Sequence, residues 1–177
     1  MASLRQLVPP DAAAYRAFML DAYARHPEAF TATVAERESL PLDWWTNRVS
    51  DTPDAPQRVI GAFEDHQLVA VAGLRRAQRP KTRHKATLFG MAVHPSAQGQ
   101  GIGRALMKAA LELARMMPGV EVLQLTVSET NDRALGLYTA CGFTRFGTEP
   151  YAIRVGDRFI GKVHMWCPVG ASRSDLS

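Results

Sequence analysis

Hydrophobic and polar positions along the chain alternate between two periods, one fitting helices and one fitting strands. Leu4 to Val8 reads as a short first strand, and Pro9-Pro10-Asp11 as the turn into a helix. Ala12 to Tyr23 then places Ala14, Phe18 and Ala22 at helical spacing, with Tyr15 and Met19 alongside, and stops before His26-Pro27. A second helical stretch spans Val34 to Val49 and is interrupted near Pro41; its Trp44-Trp45 pair predicts at least one core tryptophan. Ser50 to Gln57, with Pro53, Pro56, Asp51 and Asp54, is a loop. Arg58 to Phe63 and Leu68 to Leu74 are strand patterns joined by the turn Glu64-Asp65-His66-Gln67. Ala86 to Val93 is apolar almost throughout, which predicts a strand buried on both faces and ended by His94-Pro95. A helix follows from Gly101 to Met117, closed by Pro118-Gly119, and VEVLQLTV at 120–127 is a strand with one wetter face. Asn131 caps a last helix ending at Gly142. Phe143 to Tyr151 and Arg158 to Cys167 form two final strands around Gly156-Asp157. The β-α-α-β-β-β-α-β-α-β-β order predicts a mixed sheet with helices on its faces.

Composition narrows the class. A chain of 177 residues, 46% hydrophobic and 21% charged, is a folded single domain, expected over 1–167 with a flexible tail over 168–177. MASLRQLVPPD lacks the apolar run of a signal peptide, and no stretch approaches the ~18 apolar residues of a span, so the expectation is a cytoplasmic protein without a membrane partner. Cys141 and Cys167 then read as a reduced, buried pair. The net charge of +4 favours acidic ligands without naming one. The basic run Arg75, Arg76, Arg79, Lys81, Arg83 and Lys85 lies between two strands and contains no aromatic residue to stack on a base. It predicts a solvated hairpin, and no nucleic-acid partner is expected.

The chemistry concentrates in ATLFGMAVHPSAQGQGIGR, residues 86–104. Gly99, Gly101 and Gly103 sit at the mouth of a helix, where unpaired N–H groups and the positive end of the helix dipole suit a phosphate. Arg104 and Lys108 add positive charge in the first turns. A dinucleotide G-x-G-x-x-G would need glycine where Arg104 or Leu106 stands, and a P-loop would need G-K-[ST], which is absent. What fits is Gln98-x-x-Gly101-x-Gly103, which resembles the Q/R-x-x-G-x-G/A signature of the GNAT (GCN5-related) N-acetyltransferases. Met91-Ala92-Val93-His94-Pro95 resembles the end of that family's fourth strand. Asn131-x-x-Ala134-x-x-Leu137-Tyr138-x-x-x-Gly142-Phe143 resembles its second signature.

The resemblance implies an α/β (α+β) single-domain GNAT-like fold. Its mixed, mostly antiparallel central sheet is splayed between the fourth and fifth strands, with helices on both faces. It further implies acetyl-coenzyme A (acetyl-CoA) as cosubstrate, no metal, and transfer of acetyl to a primary amine by direct attack in a ternary complex. The acceptor would be a small-molecule or peptide amine, and a homodimer is the candidate assembly. By the same resemblance, backbone groups of Met91 and Val93, with Ala92 between them, pair with the pantetheine arm. The Met91 N–H is the oxyanion donor. Gln98 and the amides of Gly99, Gln100, Gly101, Gly103 and Arg104 hold the pyrophosphate, Asn131 touches the pantetheine, and Tyr138 protonates the leaving thiolate. Ala134, Tyr138 and Cys141 share one helical face, so a plain core tyrosine has the same pattern. The strand from Ala86 to Val93 has no acidic residue to act as base, and Thr87 stands at the place some members give a glutamate. Glu28, Glu36, Glu38, Glu129 and a water chain are the candidates left.

Overall fold

The computed structural model describes residues 1–170. Seven strands form one sheet in the order β1-β2-β3-β4-β5-β7-β6. They are β1 (Ser3–Gln6), β2 (Gln57–Glu64), β3 (Gln67–Arg76), β4 (Lys85–Val93), β5 (Val122–Ser128), β6 (Thr144–Val155) and β7 (Arg158–Pro168). Every neighbouring pair is antiparallel except β4 with β5, which is parallel. The helices are α1 (Ala12–Arg25), α2 (Val34–Glu38), α3 (Leu42–Arg48), α4 (Ile102–Met116) and α5 (Asp132–Ala140).

Two cores sandwich the sheet. On one face α4 buries Ile102, Leu106, Met107, Ala110, Leu113 and Ala114 against Ile60, Ala70, Ala72 and Leu123. On the other, Tyr15 and Met19 of α1 pack with Trp45 of α3, Leu7, Val59 and Val71. The α1 stripe is Tyr15, Met19, Ala22 and Tyr23, whereas Ala14 is exposed. Trp45 is fully buried and meets Tyr15 edge-on at 5.6 Å between centroids. Trp44 is half-buried and stacks the Arg48 guanidinium 4.0 Å from its ring.

Three sequence expectations change. The strand buried on both faces is β3, whose residues from Val69 to Leu74 are all buried. In β4 only Ala86 and Leu88 are buried, because the strand leaves its neighbour β5 after three residue pairs and lines an open cleft. The basic run is not uniformly solvated. Arg76 keeps only 4% of its surface, and its guanidinium donates to the Pro118 carbonyl at 3.0 Å, tying the β3–β4 connection to the end of α4. Arg79 and Arg83 are exposed. Arg76→Gln is therefore expected to lower stability by about 1–3 kcal/mol, and Arg79→Gln or Arg83→Gln by under about 0.5 kcal/mol each, in urea denaturation. Equal effects at the three positions contradict this placement. Finally, Pro168 belongs to β7 and Val169 is buried with its N–H on the Glu121 carbonyl at 2.9 Å. The remainder of the expected tail, 171–177, lies outside the described residues.

Candidate active site

The parallel pair β4–β5 holds only where Lys85–Thr87 face Val122–Gln124. Beyond Thr87 the register partners of β4 are on β3 alone, while β5 stays paired to β7 as far as Ser128. Past this last pair, on the separated part of the strand, β4 carries an extra residue. Val71 faces Ala92 and Gly73 faces Phe89, so Gly90 and Met91 together stand opposite Ala72. Gly90 has φ +57°, a left-handed conformation that glycine adopts without a Cβ penalty. This is a β-bulge, which bends its strand and re-aims the extra residue. Here that residue is Met91.

The wedge is closed above by α5. Asn131 starts that helix, its Oδ1 accepting from the Ala134 N–H at 3.1 Å, so the sequence-expected cap is in place. Tyr138 on α5 is 8% exposed and reaches across to β4, its hydroxyl donating to the Met91 Sδ at 3.6 Å. Burial pushes the Tyr138 pKa up to about 12, with Cys141 adding to the rise, so the phenol holds its proton at neutral pH. The ring also packs edge-on against Phe143, 5.9 Å between centroids. Core packing and a protonated hydroxyl facing the wedge coexist in this residue.

Two cavities meet here. The larger, ≈ 840 Å³, runs from the β4 end past the glycine turn and along α5; Met91, Val93, Gly99, Gly103, Asn131 and Tyr138 are among its lining. The smaller, ≈ 220 Å³, fills the wedge between Thr87–Met91 and Leu125–Ser128. Ala29, Phe30, Met91, Ser128, Asn131 and Tyr138 line both. The structure thus gathers Met91, Ala92, Val93, Gln98, Gly99, Gly101, Gly103, Arg104, Asn131 and Tyr138 around one cleft. Gln100 does not line it; its side-chain amide turns back to donate to the Ser96 carbonyl at 3.1 Å. Gln98 acts as a brace, donating to the Val93 carbonyl at 3.3 Å and accepting from Arg133 at 2.7 Å. Gly101 is the N-cap of α4 at φ +78°, so the first free amides of the helix open toward the cleft beside a residue with no side chain.

Among the base candidates, Glu129 is committed to the Gly161 N–H at 2.8 Å, and Glu36 caps α2 by accepting from the Thr33 N–H at 2.7 Å. Glu38 lines neither cavity. Glu28 lines the larger one and sits 3.2 Å from the Arg158 guanidinium. Thr87 lines the smaller cavity with no carboxylate beside it among the described lining residues.

Apart from Glu28, the lining residues from two further segments carried no sequence signal. The loop after α1, His26 to Phe30, folds over the cleft, held where Ser128 Oγ donates to the Glu28 carbonyl at 2.5 Å. That contact joins residues 100 positions apart. Lys162 on β7 enters the smaller cavity for the same reason: a register, not a local motif, brings it there. Among the described residues no group of His, Cys, Asp and Glu is arranged to hold a metal, and no helix is long and apolar enough to cross a membrane.

Known proteins resemble this geometry and sequence. Mycothiol acetyltransferase of Renibacterium salmoninarum is 29% identical over 150 residues, covering 83% of this chain and 42% of that protein. The L-amino acid N-acetyltransferase AaaT of Escherichia coli is 32% identical over 114 residues, covering 64% of this chain and 68% of that protein. The chain spans less than half the length of the mycothiol acetyltransferases it matches. Among solved structures, yncA of Salmonella typhimurium, solved with its cofactor acetyl-CoA, superposes with a TM-score of 0.78 at 20% identity, covering 99% of each chain. A family model described as acetyltransferase (GNAT) family matches residues 15–143, from α1 through the second signature, and the chain belongs to that family.

Proposed function

We propose that the chain transfers an acetyl group from acetyl-CoA to the primary amine of a small molecule, by direct attack within a ternary complex. One observation carries the reading: a free strand edge, a glycine-lined helix start and a protonated phenol border one cleft, and a second cavity opens on the same phenol. The coenzyme lies in the larger cavity. Its pyrophosphate meets the amides from Gly99 to Arg104, while Met91, Ala92 and Val93 of β4 and Asn131 of α5 flank its pantetheine arm. The amine enters from the smaller cavity. As its nitrogen bonds to the thioester carbon, charge grows on the carbonyl oxygen and the Met91 N–H supports it. The C–S bond breaks and Tyr138 gives its proton to the leaving sulfur. Glu28, the one carboxylate lining the larger cavity, is held in an ion pair with Arg158 at 3.2 Å, so the amine's proton leaves to water at the open mouth.

The smaller cavity, ≈ 220 Å³, falls below the roughly 300–1,000 Å³ of drug-sized pockets, which favours a compact acceptor over a peptide laid along a groove. Coenzyme A release assayed with a panel of primary amines tests the proposal. Amine-dependent release is expected. Acetyl-CoA binding without release for any amine contradicts it and marks a coenzyme-binding sensor instead.

A further inference from the structure

The smaller cavity is uneven in charge. Its lining is apolar along Phe30, Leu88, Phe89, Met91, Leu125 and Val127, hydroxylated at Thr31, Thr87, Thr126, Ser128 and Tyr138, and formally charged at Lys162 alone. Lys162 is the register partner of Ser128 on β5, so the two side chains leave the sheet on the same face, beside the wedge. Its ammonium donates to the Thr31 hydroxyl, which belongs to the loop folded over the cleft. Its other cross-strand partner, Glu149 on β6, contacts the His164 ring at 3.3 Å, and no carboxylate lies within ion-pair distance of Lys162 among the described residues. Burial pulls its pKa down, and Glu149 only partly offsets this, so the site stabilises the cation incompletely.

A partly desolvated ammonium with no bonded carboxylate gains when an anion arrives, and it disfavours a second cation. An acceptor that is a diamine, or an amine with a basic side chain, brings positive charge into a cavity with no carboxylate in its lining. An acceptor with a carboxylate near its amine brings the missing partner. The fifth- and seventh-strand register sets Lys162 beside Ser128, which lines both cavities, so a group bound at Lys162 is held next to the junction where the amine must reach the thioester.

We infer that the acceptor is a small α-amino acid whose carboxylate is held by Lys162 and Thr31 while its apolar side chain lies along Phe30 and Phe89, on the same side of the sheet. This rests on the acetyl-transfer reading and makes Lys162 the residue that sets acceptor specificity.

Matched acceptors separate the charge from the rest of the molecule: glycine, leucine and methionine, each as free acid, as carboxamide and as decarboxylated amine. In coenzyme A release, the wild type is expected to prefer the free acids by about 10- to 100-fold in kcat/KM, the range of a hydrogen bond to a charged group. Lys162→Met should remove that preference, mainly through KM for the acids, and Lys162→Arg should retain most of it. Acetyl-CoA affinity, measured by calorimetry, controls for folding. A wild type that favours the carboxamides or decarboxylated amines overturns the inference. So does a Lys162→Met that loses acids and neutral amines equally, which marks a structural lysine. If no amine releases coenzyme A, the transfer reading fails, and calorimetry of the free acids on the coenzyme A-loaded protein decides the carboxylate site. Binding lost in Lys162→Met upholds it, and no binding by the wild type overturns it.

Discussion

Tyr138→Phe is expected to lower kcat by about 10²–10⁴-fold while leaving acetyl-CoA affinity within about twofold. The variant keeps the ring that packs against Phe143 and the α5 face, so the fold has little to lose. What goes is the hydroxyl now donating to Met91 Sδ at 3.6 Å, a weak acceptor that a coenzyme sulfur can replace. Thiolate is a tolerable leaving group, which places the expected loss toward the lower end of the range. The pH dependence supplies a second signature. Because the Tyr138 pKa is pushed up to about 12, the acid form persists across the neutral and mildly alkaline range, so no falling limb from this residue is expected below about pH 10. Wild-type turnover in the variant contradicts the assignment and leaves Tyr138 as a core residue.

Gly103→Val is expected to weaken acetyl-CoA binding by at least about tenfold, or 1.4 kcal/mol, in calorimetry. A Cβ built at Gly103 stands 3.5 Å from Leu137, 3.9 Å from Val93 and 4.0 Å from Met91, all of which line the cleft. That spacing tolerates one carbon. The two further methyls of valine extend into the space between β4 and α5 proposed for the pantetheine arm. Gly103 lies in α4 and has no positive φ, so the backbone accepts valine without strain, and glycine is the poorer helix former of the two. Gly101→Val is a poorer probe, because at φ +78° it strains the backbone whatever the ligand does. Unchanged coenzyme affinity in folded Gly103→Val contradicts the cradle.

Elements set by local periodicity were legible in the sequence. The stripe of α4, the cap at Asn131, the turn at Asp65-His66 and the order of strands and helices all follow from spacing and turn chemistry. The two signatures marked Gly99–Arg104 and Tyr138 because each is a contiguous motif. What escaped depends on partners distant in sequence. The apolar composition of β4 predicts burial, yet the bulge at Gly90 and the departure of β5 leave Phe89 to Val93 only half-buried. Nothing in the string of basic residues distinguishes Arg76, which faces the Pro118 carbonyl, from Arg79, which faces water. Lys162 is an ordinary lysine on a strand until the register with Ser128 and the loop at Thr31 bring it into the smaller cavity.

A crystal structure of the protein with acetyl-CoA tests the central claim most directly, that the wedge between β4 and β5 is where coenzyme and amine meet. The expected density places the pyrophosphate on the amides from Gly99 to Arg104, the pantetheine along Met91 to Val93, and the thioester sulfur within hydrogen-bonding reach of the Tyr138 hydroxyl, with the Lys162 side of the wedge left open for the acceptor. Coenzyme bound elsewhere, or bound with its sulfur remote from Tyr138, contradicts it.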